Sequence, residues 1–135
     1  MKRCWIEFVA KRPSLPMTFW VHTAIGDFNY WSDATEFNPP IRPVPGKGYP
    51  IFCVEYNGFI FQFASLDEMK ECIEVLGEKL LPTTTELSAK RTSLVGPNKH
   101  WLSRLPSKVK SWKYRSGAIL YLRDALKQFE KELSS

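Results

Sequence analysis

Residues 51–64 read IFCVEYNGFIFQFA, and this segment carries the strongest structural signal of the chain. Asn57 and Gly58 separate two apolar runs, and this dipeptide favours a type I′ turn because both central residues need a positive φ. The register follows from the turn and sets three apolar pairs opposite each other: Tyr56 with Phe59, Val54 with Phe61, and Phe52 with Phe63. The sequence therefore predicts an antiparallel hairpin with one apolar side that must be covered.

The residues directly after the hairpin predict a helix that can provide this cover. Ser65 is followed three positions later by Glu68, the spacing of a capping box, in which each side chain accepts a hydrogen bond from a backbone N–H of the first turn. Apolar residues then recur at helical spacing from Leu66 onward, and Gly77 is a candidate stop. We expect this helix to lie on the apolar side of the hairpin.

The residues before the hairpin read as further strands. Bulky and β-branched side chains predict strands at Cys4–Ala10 and Met17–Ile25, and after the Gly26-Asp27 pair residues 28–31 could return antiparallel to the second. Residues 38–50 contain five prolines and must form a loop, because proline fixes φ and removes a backbone donor. We interpret this loop as a stiff crossover between two parts of the sheet. A polyproline docking motif at Pro40–Pro43 is the weaker interpretation.

The residues after the first helix read as mainly helical. A short helix is predicted from about Thr83 to Arg91, and a turn at residues 96–98. A long helix is predicted within residues 107–133, where apolar residues form one stripe. Arg115 falls within that stripe and Gly117 lies mid-helix, so either the helix starts nearer Ser116 or its first turns pack differently.

These elements together predict an α+β fold. We expect a single domain over residues 1–135, with strands within 4–64 and helices within 65–133. The expected core is an antiparallel sheet of four to five strands, packed on one face by a short helix and a long C-terminal helix. The chain has 135 residues, which is enough to bury a sizeable core without disulfides or metals.

Composition indicates a reduced, cytoplasmic protein. The three cysteines, Cys4, Cys53 and Cys72, are widely spaced and odd in number, so they favour free thiols over a disulfide framework or a zinc clip. The opening apolar run is interrupted by Glu7 and ended by Lys11, which is too short for an export signal. No apolar run approaches the ~20 residues needed to span a bilayer, so we expect no membrane insertion.

Charge is distributed unevenly along the chain. Residues 1–82 hold eight Lys and Arg against ten Asp and Glu, a net charge of −2, whereas residues 83–135 hold eleven against four, a net charge of +7. No acidic residue occurs between Glu86 and Asp124. The C-terminal half is therefore the part of the chain that we expect to contact an anionic partner.

The stretch from Asn98 to Arg115 interleaves these cations with aromatic side chains. Cations neutralise phosphates and release counterions, and aromatic faces or guanidinium planes stack on unpaired bases. The combination predicts a contact surface for nucleic acid or for another partner. Its candidate residues are Lys90, Arg91, Lys99, His100, Trp101, Arg104, Lys108, Lys110, Trp112, Lys113, Tyr114 and Arg115.

Three interpretations of this surface remain open from sequence. A nucleic acid is one, and an acidic protein surface is the second, because Arg and Trp also anchor protein interfaces. In the second case the chain would be a protein–protein interaction module, an accessory or inhibitor protein of the kind that mobile elements encode, acting on a nucleic-acid-handling complex. The third interpretation is a plain solvated face over a core that contains the tryptophans. The oligomeric state is not predicted.

The sequence offers no assembled chemistry. His22 and His100 are the two histidines, and no motif places either beside an activated Ser or Cys. His22 reads as an ordinary half-buried or surface side chain of a strand, and Cys53 and Cys72 read as small apolar side chains of a core strand and a core helix. We therefore expect a non-catalytic protein without a cofactor or a metal.

Overall fold

The structure, a computed structural model, describes residues 2–26, 30, 34–78 and 101–134. The predicted strand at 28–31, the short helix at 83–91 and the turn at 96–98 lie wholly or mostly outside these residues. Along the chain the elements are β1 (Lys2–Val9), α1 (Thr18–Val21), β2 (Thr23–Ile25), β3 (Glu36–Asn38), β4 (Tyr49–Tyr56), β5 (Phe59–Phe63), α2 (Leu66–Leu76), a 3₁₀ turn (Trp101–Arg104), α3 (Ser107–Lys110) and α4 (Trp112–Ser134).

The hairpin of β4 and β5 has the predicted register. Phe52 lies opposite Phe63, Val54 opposite Phe61 and Tyr56 opposite Phe59. Asn57 has φ 43° and Gly58 has φ 88°, the positive values that the turn requires. The local prediction is therefore confirmed at the level of individual residue pairs.

The sheets differ from the prediction. β1 pairs with β4 antiparallel, which gives a three-stranded sheet of order β1-β4-β5, and β2 pairs with β3 in a separate two-stranded sheet. The expected single sheet of four to five strands is not confirmed. The fold is α+β with this divided antiparallel sheet and a long C-terminal helix.

The segment Met17–Ile25 is not one strand, as we predicted, but a helical turn followed by a short strand. Thr18–Val21 forms α1, and only Thr23–Ile25 is extended. The i, i+4 spacing of a helical turn brings Thr18 and His22 to the same side, where both contact Glu68 of α2. This contact overrides the strand propensity of the bulky residues between them.

Helix α2 begins and ends as predicted, with one difference at its cap. Ser65 Oγ accepts a hydrogen bond from the backbone N–H of Glu68 at 3.2 Å, and the helix ends at Leu76 with Gly77 as its cap. The Glu68 carboxylate, however, accepts from the N–H of Ala64 at 3.1 Å. It therefore binds one residue before the position that a capping box would use.

The core lies between the three-stranded sheet and the helices α2 and α4. Phe52 and Phe63 of the hairpin are buried together with Met69 of α2 and with Leu122 and Phe129 of α4. The rings of Phe52 and Phe129 have centroids 5.1 Å apart. Both helices thus cover the apolar side of the hairpin, and the other side of the sheet faces away from them. A smaller cluster of Phe19, Ala34 and Phe37 lies beside the two-stranded sheet.

Candidate nucleic-acid interface

The candidate contact residues divide into those that the structure describes and those outside it. Lys90, Arg91, Lys99 and His100 lie outside the described residues, and so does the side chain of Arg104. The remaining seven belong to the 3₁₀ turn, α3 and the first turn of α4.

Two of the candidates are buried and cannot take part in a contact surface. Trp101 and Arg115 each have 3% of their surface exposed. Trp101 packs into the main core beside Leu102, so its ring is not open to a base. These two residues are therefore removed from the predicted surface, and their burial also explains why Arg115 falls within the apolar stripe of α4.

Arg115 has a structural role at the end of α2. Its Nη1 donates to the backbone carbonyl of Leu76 at 2.9 Å and to that of Glu78 at 2.5 Å, and its Nε donates to the carbonyl of Lys110 at 2.7 Å. These carbonyls would otherwise lack partners at the ends of two helices. Burial lowers the pKa of Arg115, yet a guanidinium stays charged in proteins.

The lysines of α3 and of the start of α4 are available for an anionic partner. Lys108 and Lys113 are exposed and Lys110 is half-buried. No carboxylate within the described part of the chain forms an ion pair with any of the three. Trp112, between Lys110 and Lys113, is 38% exposed, and its ring lies 5.0 Å from the Arg115 guanidinium.

Three tyrosines pack the hairpin against α4, the helix that carries Lys113. The ring centroids of Tyr56 and Tyr114 are 5.4 Å apart, and those of Tyr56 and Tyr121 are 6.1 Å apart. Lys2 Nζ lies 5.8 Å from the centre of the Tyr121 ring. These rings, which we call the tyrosine cluster, join the turn end of the hairpin to α4 and bring a cation from β1 beside them.

Small residues permit this close packing. A Cβ atom at Gly117 would collide with the hydroxyl oxygen of Tyr56, so the glycine in the middle of α4 admits that ring. A Cβ atom at Gly58 would lie 3.3 Å from Lys108 Nζ, which puts Lys108 directly beside the hairpin turn. We group four lysines under the name basic patch: Lys2 beside Tyr121, Lys108 beside the hairpin turn, and Lys110 and Lys113, which follow Lys108 closely in the chain.

The hydroxyls of Tyr114 and Tyr121 are neutral at physiological pH, because their pKa values are raised. Tyr114 donates from its hydroxyl to the carbonyl of Tyr56 at 2.5 Å, and burial together with Tyr56 raises its pKa to about 12. Burial also raises the pKa of Tyr121, with further contributions from Cys4 and Asp124. The phenols therefore add no negative charge to the basic patch.

The structure places His22 in a buried polar network rather than on a strand surface. The side chains of His22, Glu68 and Thr18 have no exposed area. His22 Nε2 lies 2.8 Å from Ser65 Oγ and 3.4 Å from Glu68 Oε2, and Thr18 donates from its hydroxyl to Glu68 Oε2 at 3.0 Å. A histidine does meet a carboxylate here, but a substrate could not reach a fully buried pair without opening the core.

The contact of His22 Nδ1 with the Pro39 carbonyl shows which ring nitrogen carries the proton. Nδ1 lies 2.6 Å from the carbonyl oxygen of Pro39, which can only accept, so Nδ1 carries the proton. Nε2 then accepts from Ser65 in the neutral ring and donates to this hydroxyl or to Glu68 in the charged ring. Each polar group of the network has a partner, which is the arrangement of a structural histidine.

The thiols of Cys53 and Cys72 are held in their protonated form. Cys53 and Cys72 are buried in β4 and α2, as the sequence predicted, and Cys4 is half-buried. Burial and the hydrogen bond to Glu7 raise the pKa of Cys53 to about 12, and burial raises the pKa of Cys72. A thiolate is the nucleophile and the metal ligand, so these environments suit neither role. Among the described residues no group of His, Cys, Asp and Glu side chains is placed to hold a metal ion.

Comparison of this chain with protein-family models, with curated proteins and with solved structures gave no match. No described helix is long and apolar enough to cross a membrane.

Sequence reasoning missed Lys2, Tyr56 and Tyr121 as members of the candidate interface. Lys2 and Tyr56 are opposite each other in the β1–β4 register, and Tyr121 lies two helical turns after Tyr114. Gly117 was the available signal, because a glycine in the middle of a helix indicates close approach of another group. Nothing in the sequence identified that group as Tyr56.

Proposed function

We propose that this protein binds nucleic acid without catalysing a reaction, and that it contacts the phosphate backbone through the basic patch. The observation that carries the proposal is the arrangement of Lys108, Lys110 and Lys113. They lie within six consecutive positions, and none is neutralised by a carboxylate of the described chain. Unpaired ammonium groups concentrated in this way attract phosphates and release their counterions on binding.

The proposed contact is with the backbone more than with the bases. Trp101 is buried, the tyrosine cluster is half-buried, and one neighbour of the Trp112 ring is the Arg115 guanidinium. Stacking on unpaired bases needs an open aromatic face. Trp112 is the described aromatic of this segment that is most exposed, so it is our candidate for a single stacking contact.

Salt dependence of binding tests this proposal. Fluorescence anisotropy with labelled single-stranded DNA, duplex DNA and RNA, from about 50 to 300 mM salt, gives the slope of log K against log salt. Each neutralised phosphate contributes roughly 0.7 to 0.9 to this slope. The triple variant Lys108→Gln/Lys110→Gln/Lys113→Gln should therefore bind more weakly and with a slope lower by about 2 to 3.

A matched control removes three other exposed cations. Arg42→Gln/Arg123→Gln/Lys127→Gln has the same net charge as the test variant, and all three residues are exposed. We expect this control to keep most of the salt dependence. Equal losses in both variants would mean that net charge alone attracts the nucleic acid, and salt-independent or absent binding by the unchanged protein would refute the proposal.

An acidic protein surface is the second candidate partner. The exposure of Trp112 beside three lysines favours it, because Trp flanked by cations is a composition found at the energetic centre of protein interfaces. In this case the protein would act as an accessory or inhibitor of a nucleic-acid-handling complex. Capture from a nuclease-treated lysate distinguishes the two, since a protein partner survives the nuclease, and Lys110→Glu/Lys113→Glu should abolish its capture.

A further inference from the structure

Strand β1 forms one edge of the three-stranded sheet. In the order β1-β4-β5, β1 pairs with β4 on one side, and no strand of the described chain pairs with its other side. It is eight residues long, whereas the opposite edge strand β5 has five. An edge of this length presents a row of backbone donors and acceptors that can pair with another strand.

The side chains of β1 alternate between two faces. Cys4 and Ile6 pack against the core on the helix-covered face, while Arg3, Trp5 and Glu7 lie on the other face. If a second copy pairs through β1 with its helices on the same side, residues directly opposite each other must share a face. Residues of odd number then oppose odd, and residues of even number oppose even.

One antiparallel register brings opposite charges together. With Trp5 on the two-fold axis, Arg3 lies opposite Glu7 of the second copy, and Glu7 lies opposite Arg3 of the second copy. With Cys4 on the axis, Arg3 would lie opposite Trp5 of the second copy. With Ile6 on the axis, Glu7 would lie opposite Trp5 of the second copy. Opposite charges stabilise a cross-strand pair, so the sequence of β1 is complementary to itself in the Trp5-centred register.

We propose that two copies of this protein associate by antiparallel pairing of their β1 strands about Trp5, which forms a continuous six-stranded sheet. The contact is isologous, so each Arg3–Glu7 pair occurs twice. The side chain of Arg3 is 61% exposed, although it binds Glu55 and its guanidinium lies 4.6 Å from the centre of the Trp5 ring. Glu7 is also exposed, although its Oε2 accepts from Trp5 Nε1 at 3.0 Å and from Cys53 Sγ. Both side chains therefore keep exposed surface that a second copy can reach.

Apolar surface lies along the same edge. A groove of about 540 Å³ along β1 is lined by Cys4, Trp5, Ile6, Phe8, Val44 and Leu133 together with the charged Lys47 and Glu132. Phe8 is 37% exposed and Leu133 is 41% exposed. In the Trp5-centred register Cys4 and Ile6 of the second copy come to this border, so association would cover apolar area as well as satisfy the strand edge.

Charge reversal tests the proposed register. Sedimentation equilibrium up to about 500 µM protein should show a dimer for the unchanged chain, and Glu7→Arg should weaken it by about tenfold or more, because two attractive pairs become repulsive. Arg3→Glu, combined with Glu55→Gln to avoid repulsion within one chain, should weaken it similarly. Mixing the two variants should restore association, since each copy then supplies the charge that the other needs.

Cross-linking locates the two-fold axis independently of charge. Trp5→Cys in a Cys53→Ala background, where the cross-strand neighbour within one chain has no thiol, should form a disulfide between two copies under mild oxidation. Val9→Cys in the same background is the control and should not, because the two copies of position 9 lie at opposite ends of the paired strands in this register. A monomer throughout the concentration range would overturn the proposal, and so would a dimer that is insensitive to Glu7→Arg or that does not cross-link at position 5.

Discussion

His22 holds three separate parts of the chain together through its two ring nitrogens. Nδ1 binds the carbonyl of Pro39, after β3, and Nε2 lies between Ser65 and Glu68 at the start of α2. Burial lowers the pKa of His22, but Glu68, the Pro39 carbonyl and Asp67 together raise it above its ordinary value of 6.5. The imidazolium is therefore favoured in the folded protein.

The pH dependence of stability follows from this shift. Between pH 6.5 and the higher pKa of the folded state, the folded protein holds a proton that the unfolded chain has lost. The contribution of His22 is thus complete below about pH 6.5 and disappears as the pH rises through the folded pKa. We expect the free energy of unfolding, measured with urea at several pH values, to decline over this interval.

The two histidines of the chain provide the test and its control. His22→Gln should remove this part of the pH dependence, whereas His100→Gln should leave it in place. If the unfolding free energy of His22→Gln still declines as in the unchanged protein, another group is responsible.

At the scale of elements, Arg115 connects α4 to the C-terminal end of α2. A single guanidinium satisfies the carbonyls of Leu76, Glu78 and Lys110. Lysine could not replace it, because an ammonium group cannot span three carbonyls that a planar fork reaches together. The end of α2, the end of α3 and the start of α4 are therefore fixed relative to one another by this side chain.

We expect Arg115→Met to lower the free energy of unfolding by about 3 kcal/mol, since it removes the donor to the buried carbonyl of Leu76 and to two half-buried carbonyls. Arg115→Lys should recover only part of this loss. Arg123→Met is the matched control on the same helix, where the residue is exposed, and it should change stability by less than about 0.5 kcal/mol. Equal effects of Arg115→Met and Arg123→Met in urea unfolding would contradict this role.

At the scale of the whole molecule, positive charge is incompletely balanced. The net charge is +5, and the described residues contain the ion pairs Arg3–Glu55 and Lys70–Glu130 together with the buried His22–Glu68 contact. Lys108, Lys110 and Lys113 take part in none of these pairs. Self-repulsion among such cations destabilises a compact state, and added salt screens it.

Stability should therefore rise with ionic strength. We expect the Tm to increase by about 2 °C, equivalent to roughly 0.5 kcal/mol, between low and moderate sodium chloride. In Lys108→Gln/Lys110→Gln/Lys113→Gln the increase should be smaller. A Tm that falls with salt would show that attractive pairs outweigh the repulsion, contrary to this expectation. Scanning calorimetry on dilute protein separates this effect from association.

The division between sequence and tertiary structure follows the range of the interactions. The hairpin, its register and the start of α2 are predictable from sequence, because Asn57-Gly58 and Ser65 act on neighbours a few positions away. The same reasoning put Arg115 in an apolar stripe without an explanation. The bonds from Thr18 to Glu68, 50 positions away, and from Arg115 to Leu76, 39 positions away, depend on tertiary packing. Such partners are chosen by how the layers pack, which local propensity cannot specify.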